Sequence, residues 1–433
     1  MDYGLAPSTL RPETKEERIV WYAIIYTWAF WLAGGLYLVA PAIGWYLAFR
    51  GLRRYVGLSA VKPLRPPRVP VSVAFWWAGM ALMLVALVAA HINYSLDTGQ
   101  IIKSSIGWMK GWAFLAVFPW IGAMLPIRPS IIYRATNILA LQTLILIPVF
   151  VMAAFAHLPH PLYTSPLMAV GGPGPEYFNV ELYSIDNTNG AMRWRFFAPW
   201  APAAAFACNV SFVFALYDRD WRWKTVGIVA AIMICLMTAS RLTLIAIPGV
   251  LAICYILSSL TRPVLAAAGA GVATIGSFTL PQILLFVQEL GDRFNGARAA
   301  STRVRALLRS IALHRWQSEA FWFGHGIVEK GPHIVEHMPI GSHHTWFGLL
   351  FVKGIIGLLA LAVPLAVTFV ELVVKAQSDR VARCALGVVI VCFFYTFGEN
   401  FEALAYLIWP GLVVIGIAAR RRVFHPMRTR LGA

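Results

Sequence analysis

Eleven apolar runs limit what this chain can become. They fall near residues 19–49, 71–91, 111–127, 136–156, 197–216, 223–239, 242–260, 263–287, 346–374, 384–397 and 403–419. Most are long enough to cross a bilayer, whose hydrocarbon core takes ~20 helical residues. In hydrocarbon every backbone N–H and C=O must be bonded within the protein, so a spanning chain is helical or a closed barrel. The runs are nearly continuous and do not alternate apolar with polar, which excludes the barrel. With 59% hydrophobic residues and a mean hydropathy of +0.68, the whole chain, 1–433, reads as one integral membrane domain. The expected fold class is an all-α polytopic membrane protein.

The placement of charge sets the topology. A formal charge of +17 would suit nucleic acid, but most Lys and Arg lie in short connectors between apolar runs, as the positive-inside rule requires, so no nucleic-acid partner is expected. The first run is long for one span and short for two. Gly34-Gly35 near its middle and Pro41 beyond allow a helical hairpin. With 19–49 taken as a pair and the N-terminus inside, inner connectors hold 23 Lys and Arg and outer ones 12, seven of these in 288–342. Long loops carry little topological weight, so the contrast that decides is 23 against five. About 12 transmembrane helices with both termini cytoplasmic are expected, with 11 as the alternative. The two longest connectors, 157–196 and 288–342, then fall on the outer face as large loops. The first 18 residues are polar and the run after them is too long for a signal-peptide core, so it reads as an uncleaved anchor. All five cysteines lie inside apolar runs, which implies neither a disulfide framework nor a thiolate metal site.

Several polar residues stand out against this background. Thr238-Ala239-Ser240-Arg241-Leu242-Thr243 puts an arginine between two apolar runs with almost no loop. Such an arginine snorkels, pairs or lines a polar cavity; in the last case it is an anion clamp, since guanidinium grips phosphate oxygens bidentately. Arg193-Trp194-Arg195 precedes the span opening at Phe196, where it serves as an interfacial anchor or a second clamp. Arg298, Arg303, Arg305, Arg309 and Arg315 recur at mostly helical spacing in 288–342. Taken singly they read as solvated or headgroup-facing; together they make the outer mouth electropositive, which suits a diphosphate. His333 and His337 have metal-ligand spacing, but Pro332 and Pro339 confine any helix there and the pattern is not H-E-x-x-H, so no metal is expected. His343-His344, at the start of a long apolar run, places a group able to take a proton near neutral pH at the membrane boundary. The aromatic residues of the outer loops fit an interfacial belt more simply than sugar stacking.

These residues resemble the O-antigen ligase/polymerase superfamily, the WaaL-type ligases and Wzy-type polymerases of bacterial surface polysaccharides. The family pattern His-Asn-x-Tyr-Leu followed by Gly-x-x-Gly is similar to His343-His344-Thr345-Trp346-Phe347 with Gly354 and Gly357. The glycine spacing aligns His343 with the family histidine, and His344 replaces the usual asparagine. Ser240-Arg241 resembles the family's Ser-Arg turn, and Phe323-Gly324-His325-Gly326 its Phe-Gly-x-Gly. Arg303 is similar to an arginine early in the large outer loop, and Arg193 or Arg195 to one before an aromatic-and-proline span start. The Asn-Pro-Asn-like element after that arginine is absent. The resemblance covers residues 190–360, the ligase/polymerase-like catalytic region.

It implies glycosyl transfer at the periplasmic face of the bacterial inner membrane, without metal or other cofactor. The donor is a glycan on undecaprenyl diphosphate; the acceptor is another glycan unit in a polymerase or lipid A-core in a ligase. Membrane lipids and polysaccharide assembly proteins are the implied partners. Arg193, Arg195, Arg241 and Arg303 would hold the diphosphate, His343 would be the general base and His344 a substrate contact. A polymerase is the first expectation and a ligase the second. A flippase of lipid-linked sugars is the rival from another class, disfavoured because charges gather at one face and no internal repeat is visible. A non-catalytic scaffold is the third reading.

Overall fold

The structure, a computed structural model, describes residues 10–58, 68–185, 190, 192–263, 299–335, 337–341 and 344–421, and of Arg241 and residues 299–302 only the main chain. The first helices are α1 (Lys15–Ile25), α2 (Thr27–Leu32), α3 (Leu36–Tyr55), α4 (Val71–Asn93), α5 (Thr98–Lys110), α6 (Phe114–Met124) and α7 (Pro129–Phe155). There follow α8 (Ala201–Tyr217), α9 (Trp221–Thr238), α10 (Arg241–Leu257), α11 (Ala299–Glu319), α12 (Thr345–Ala376), α13 (Arg380–Tyr395) and α14 (Phe401–Arg420). The only strands among the described residues are three antiparallel two-residue pairs in the long connectors. These join β1 (Tyr163–Thr164) to β2 (Asn179–Val180), β3 (Ser184–Ile185) to β4 (Met192–Arg193), and β5 (Glu329–Lys330) to β6 (Pro339–Ile340).

Helices α4, α7, α9, α12 and α14 are long and apolar enough to cross a membrane, and α8 and most of α10 are apolar but shorter. The protein is therefore an all-helical, multi-pass membrane protein. Most of the apolar run 263–287 lies outside the described residues. The 19–49 run does divide: Gly34 adopts φ +64, a left-handed turn open to glycine, and α3 runs back beside α1 so that Arg50 pairs with Glu16 at 2.6 Å. Helix α7 starts earlier than the apolar run suggests, because Arg134 is neutralised inside the protein by Asp218 at 3.0 Å and does not need a loop. The connectors 92–110 and 288–342 contain α5 and α11, whose apolar residues are too sparse to read as spans.

The helix ends sort into two groups. At one end, Arg128 pairs with Glu17 at 2.8 Å, Ser72 N–H donates to Glu371, Lys375 bonds the last carbonyls of α14, Arg420 bonds the carbonyls of Leu125 and Ile127, and Arg421 pairs with Asp379. At the other, the Ser165 hydroxyl donates to Ala33 O, Lys110 donates to Gly171 O at 3.0 Å, and Tyr94 OH donates to Glu319 O. The described parts of the long connectors belong to this second end. The packed apolar core lies between, centred on α6, α8, α13 and α14.

Candidate functional site

The site is built on the short turn between α13 and α14, residues 396–400. Glu399 is buried there, and its carboxylate accepts a 2.8 Å bond from Trp200 Nε1 at the start of α8. Thr345, the first residue of α12, donates its hydroxyl to Glu399 O at 2.7 Å, donates its N–H to Thr396 O at 3.0 Å, and accepts from Phe401 N–H at the start of α14. Trp346 Nε1 adds a 2.9 Å bond to the Thr396 hydroxyl. Leu242, in the first turn of α10, lies against Gly398. Four helices, α8, α10, α12 and α14, thus point their N-termini at one spot, and each brings the positive end of its dipole. Such an arrangement is an anion-binding environment before any side-chain charge is added.

Side-chain charge then adds to it. Arg193, in β4, and Arg305, on α11, both act on the Glu399 carboxyl electrostatically. Burial still dominates, pushing Glu399 up to about 7 against the Trp200 hydrogen bond and the pull of the two arginines. Arg309, one helical turn beyond Arg305, lies over the Phe347 ring at 5.6 Å. Its charge, after burial, is the second reason that His344 is pushed down to about 4 and is neutral at pH 7. The neutral ring also serves the fold, because His344 is the N-cap of α12 and its Nδ1 accepts from Phe347 N–H at 3.5 Å. That bond assigns the proton to Nε2, the ring nitrogen left for a substrate.

The Ser240-Arg241 turn is held as tightly. Ala239 ends α9 at φ +49, a strained conformation for a residue with a Cβ, and the chain reverses within two residues. Thr243, in the first turn of α10, bonds the buried Tyr395 hydroxyl at 2.9 Å, and Asn209 of α8 donates to that hydroxyl at 3.0 Å. Arg241 opens α10, where a cation opposes the helix dipole, a position that costs stability unless an anion is bound there.

The two glycine motifs form one joint. Gly354 breaks α12 at φ +63, and Phe323-Gly324-His325-Gly326 docks into the break. The N–H groups of Ile355 and Ile356 donate to the carbonyls of Phe321 and Trp322, while those of His325 and Gly326 donate to Phe351 and Val352. At 32 residues α12 would measure ~48 Å if straight, against a hydrocarbon core of ~30 Å. The break lets the part beyond it, from Ile355, span alone while Thr345–Lys353 turns aside to reach the 396–400 turn. His325 is buried between Tyr94 and Phe351, its Nε2 at 2.8 Å from Glu319, which Arg315 also pairs.

The residues expected from the sequence are not all brought together. Arg193 meets the cluster through Glu399. Arg195 is instead paired with Glu181 at 2.7 Å and donates to Pro199 O, which fixes the loop before α8. Arg303 is exposed on α11 and stands ~200° round the helix from Arg305. His343 and the Arg241 side chain lie outside the described residues. His333 and His337 have rings 5.6 Å apart, and among the described residues no group of three or more His, Cys, Asp or Glu could hold a metal. Glu399, Arg305 and Arg309 carry the electrostatics; Glu399 was not expected, and from sequence Arg305 and Arg309 read only as part of an electropositive mouth and not as site residues. A signal for Glu399 was present: it is an acidic residue in a short turn between two apolar runs, where an unpaired carboxylate is costly. Comparison with curated proteins finds no match. Residues 226–362, which run from α9 through the first half of α12, match the family model Wzy_C, described as O-antigen ligase.

Proposed function

We propose that the protein is a glycosyltransferase of the periplasmic face of the bacterial inner membrane, which moves a glycan from undecaprenyl diphosphate to an acceptor hydroxyl. The observation that carries this reading is the meeting of four helix N-termini with Arg193 and Arg305 around Glu399, and of Arg309 with His344 beside it. A departing diphosphate needs fixed positive charge where its own charge develops. In the reaction the acceptor oxygen bonds to the anomeric carbon, the bond from that carbon to the diphosphate breaks, and the diphosphate keeps the electron pair. His343 takes the acceptor proton as general base. Arg193, Arg241 and Arg305 hold the diphosphate, burial with help from Arg309 keeps His344 neutral, and His344 offers its Nε2–H to substrate. Arg195 keeps the loop in place, and Arg303 stands outside the cluster. Guanidinium groups supply the positive charge that a metal-independent transfer requires.

The same reading takes the chain across the membrane about twelve times with both termini in the cytoplasm. What supports it is that connectors assigned inward by charge gather at one end of the helices and those assigned outward at the other.

The acceptor decides between two activities: another lipid-linked unit in a polymerase, or lipid A-core in a ligase, which the family description favours. The glycan ladder of a deletion strain separates them. A single repeat unit on lipid A-core marks a polymerase, and long chains left on the carrier lipid mark a ligase. Complementation tests the site: His343→Ala and Arg305→Ala should each lose ~10²–10³-fold in transfer, whereas Arg303→Ala should stay within about threefold. Full activity from both of the first two variants would leave a transporter or a scaffold as the better reading.

A further inference from the structure

The flank of α11 that carries Arg305 and Arg309 does not end with them. Trp316 lies seven residues beyond Arg309, ~20° away round the helix and ~10 Å further along it. Its ring stacks on Phe321 with centroids 5.1 Å apart and planes 19° apart, and its Nε1 donates to Phe321 O at 2.8 Å. Phe321 in turn meets Trp322 edge to face at 5.2 Å. Phe321 is 42% exposed and Trp322 63%. Phe321 and Trp322 are exposed and Trp316 is half-buried, and all three are held in place, because the carbonyls of Phe321 and Trp322 are bonded into the break in α12 and Arg315 and Glu319 clamp the end of α11.

A large apolar surface held rigid at the outer end needs an occupant. Lipid would suit an aromatic belt, but the neighbours of these rings on α11, His314, Gln317, Ser318 and Glu319, are polar and at least partly open to solvent. Flat aromatic faces ringed by hydrogen-bonding side chains suit a pyranose: its axial C–H groups sit on the negative ring face while its hydroxyls reach the polar rim. The separation of ~10 Å from Arg309 is about the length of a disaccharide. We propose that Trp316, Phe321 and Trp322 form a sugar-stacking ledge that holds the glycan of the lipid-linked substrate one or two residues beyond its diphosphate. The ledge rests on the reading of the arginine cluster as the diphosphate site.

The test uses the full-length protein in lipid nanodiscs and two probes: lipid-linked glycan extracted from the source membranes, and bare undecaprenyl diphosphate. Three substitutions of Trp322 separate ring chemistry from apolar area: Ala removes both, Leu keeps apolar area without a flat ring, and Tyr keeps the ring. Stacking predicts that Trp322→Ala and Trp322→Leu each weaken glycan-lipid binding about tenfold. Trp322→Tyr should stay near wild type, and all three should bind bare undecaprenyl diphosphate normally. Normal binding by Trp322→Leu, or equal losses on both probes, would make the ledge a membrane anchor and overturn the proposal. If Arg305→Ala weakens binding of the bare lipid while Trp322→Ala and Trp322→Leu leave glycan-lipid binding intact, the ledge alone fails. If wild-type protein shows no arginine-dependent binding of the bare lipid, the diphosphate site fails and the ledge with it.

Discussion

Glu399 accepts a bond from Trp200 and feels the charge of two arginines, and its own charge is finely balanced. Burial raises its carboxyl from the ordinary 4.5 to about 7 despite Trp200, Arg305 and Arg193. Between those two values the folded protein keeps a proton that the unfolded chain has lost. The carboxyl's contribution to stability is therefore full below 4.5 and is lost as pH rises through 7. The ligand should feel the same titration. On the proposed reading, below 7 the neutral carboxyl attracts Arg193 and Arg305 only weakly, and above 7 the carboxylate competes with a diphosphate for them. Donor KM in the wild type is expected to rise as pH passes through 7, and in Glu399→Gln to stay flat, with the Trp200 bond kept by the amide oxygen. A KM profile of equal slope in both would remove Glu399 from donor binding. At this scale the sequence is informative about residue type and poor about partners. That arginines would gather at one end of the helices follows from their distribution, but that Arg305 acts on Glu399, 94 positions away, does not. Helical spacing shows which arginines share a flank, not which flank meets the site.

Among the elements, α12 and its joint with the 323–326 loop carry the site's geometry. The sequence contained both halves as Phe-Gly-x-Gly and Gly-x-x-Gly, motifs without a visible reason to occur together. The structure supplies it: Gly324 at φ +69 and Gly354 at φ +63 let two backbones approach where any Cβ would overlap main-chain atoms of the other segment. Gly324→Ala or Gly354→Ala should each cost ~2–4 kcal/mol, from strain plus lost docking bonds. Because the joint also aims α11, transfer activity should fall with stability, and the fall should exceed that of Gly107→Ala on α5, where a Cβ meets open space. Thermal unfolding of the detergent-solubilised variants, followed with activity, checks this. Wild-type melting in Gly354→Ala would mean that the break in α12 is not required. Helices α5 and α11 are harder to read, since each is polar enough to pass for a loop and is ordered by tertiary contacts, such as Lys110 on Gly171 and Tyr94 on Glu319.

Across the whole molecule, charge distribution and packing point the same way from independent physics. Positive-inside sorting weighs only the cost of carrying Lys and Arg across the membrane. The grouping of helix ends reflects ion pairs and carbonyl bonds among residues as distant as Glu17 and Arg128, or Leu125 and Arg420. Both assign Gly57 to one side and Gly190 to the other, and both glycines are exposed. Single cysteines at these positions, in a background with the five native cysteines replaced, therefore report orientation directly. Those native cysteines are mostly buried in apolar helices, so conservative replacement by Ala or Ser is expected to be tolerated. In intact spheroplasts a membrane-impermeant thiol reagent should label Gly190→Cys and spare Gly57→Cys until the membrane is opened. Labelling of Gly57→Cys alone in sealed cells would invert the topology and put the arginine cluster on the cytoplasmic side, where cytoplasmic nucleotide-sugar donors would have access. Labelling of both would mean an even number of crossings between them, where α4, α6 and α7 together provide an odd one; α6, at 11 residues the shortest of the three, would then be the helix that fails to cross.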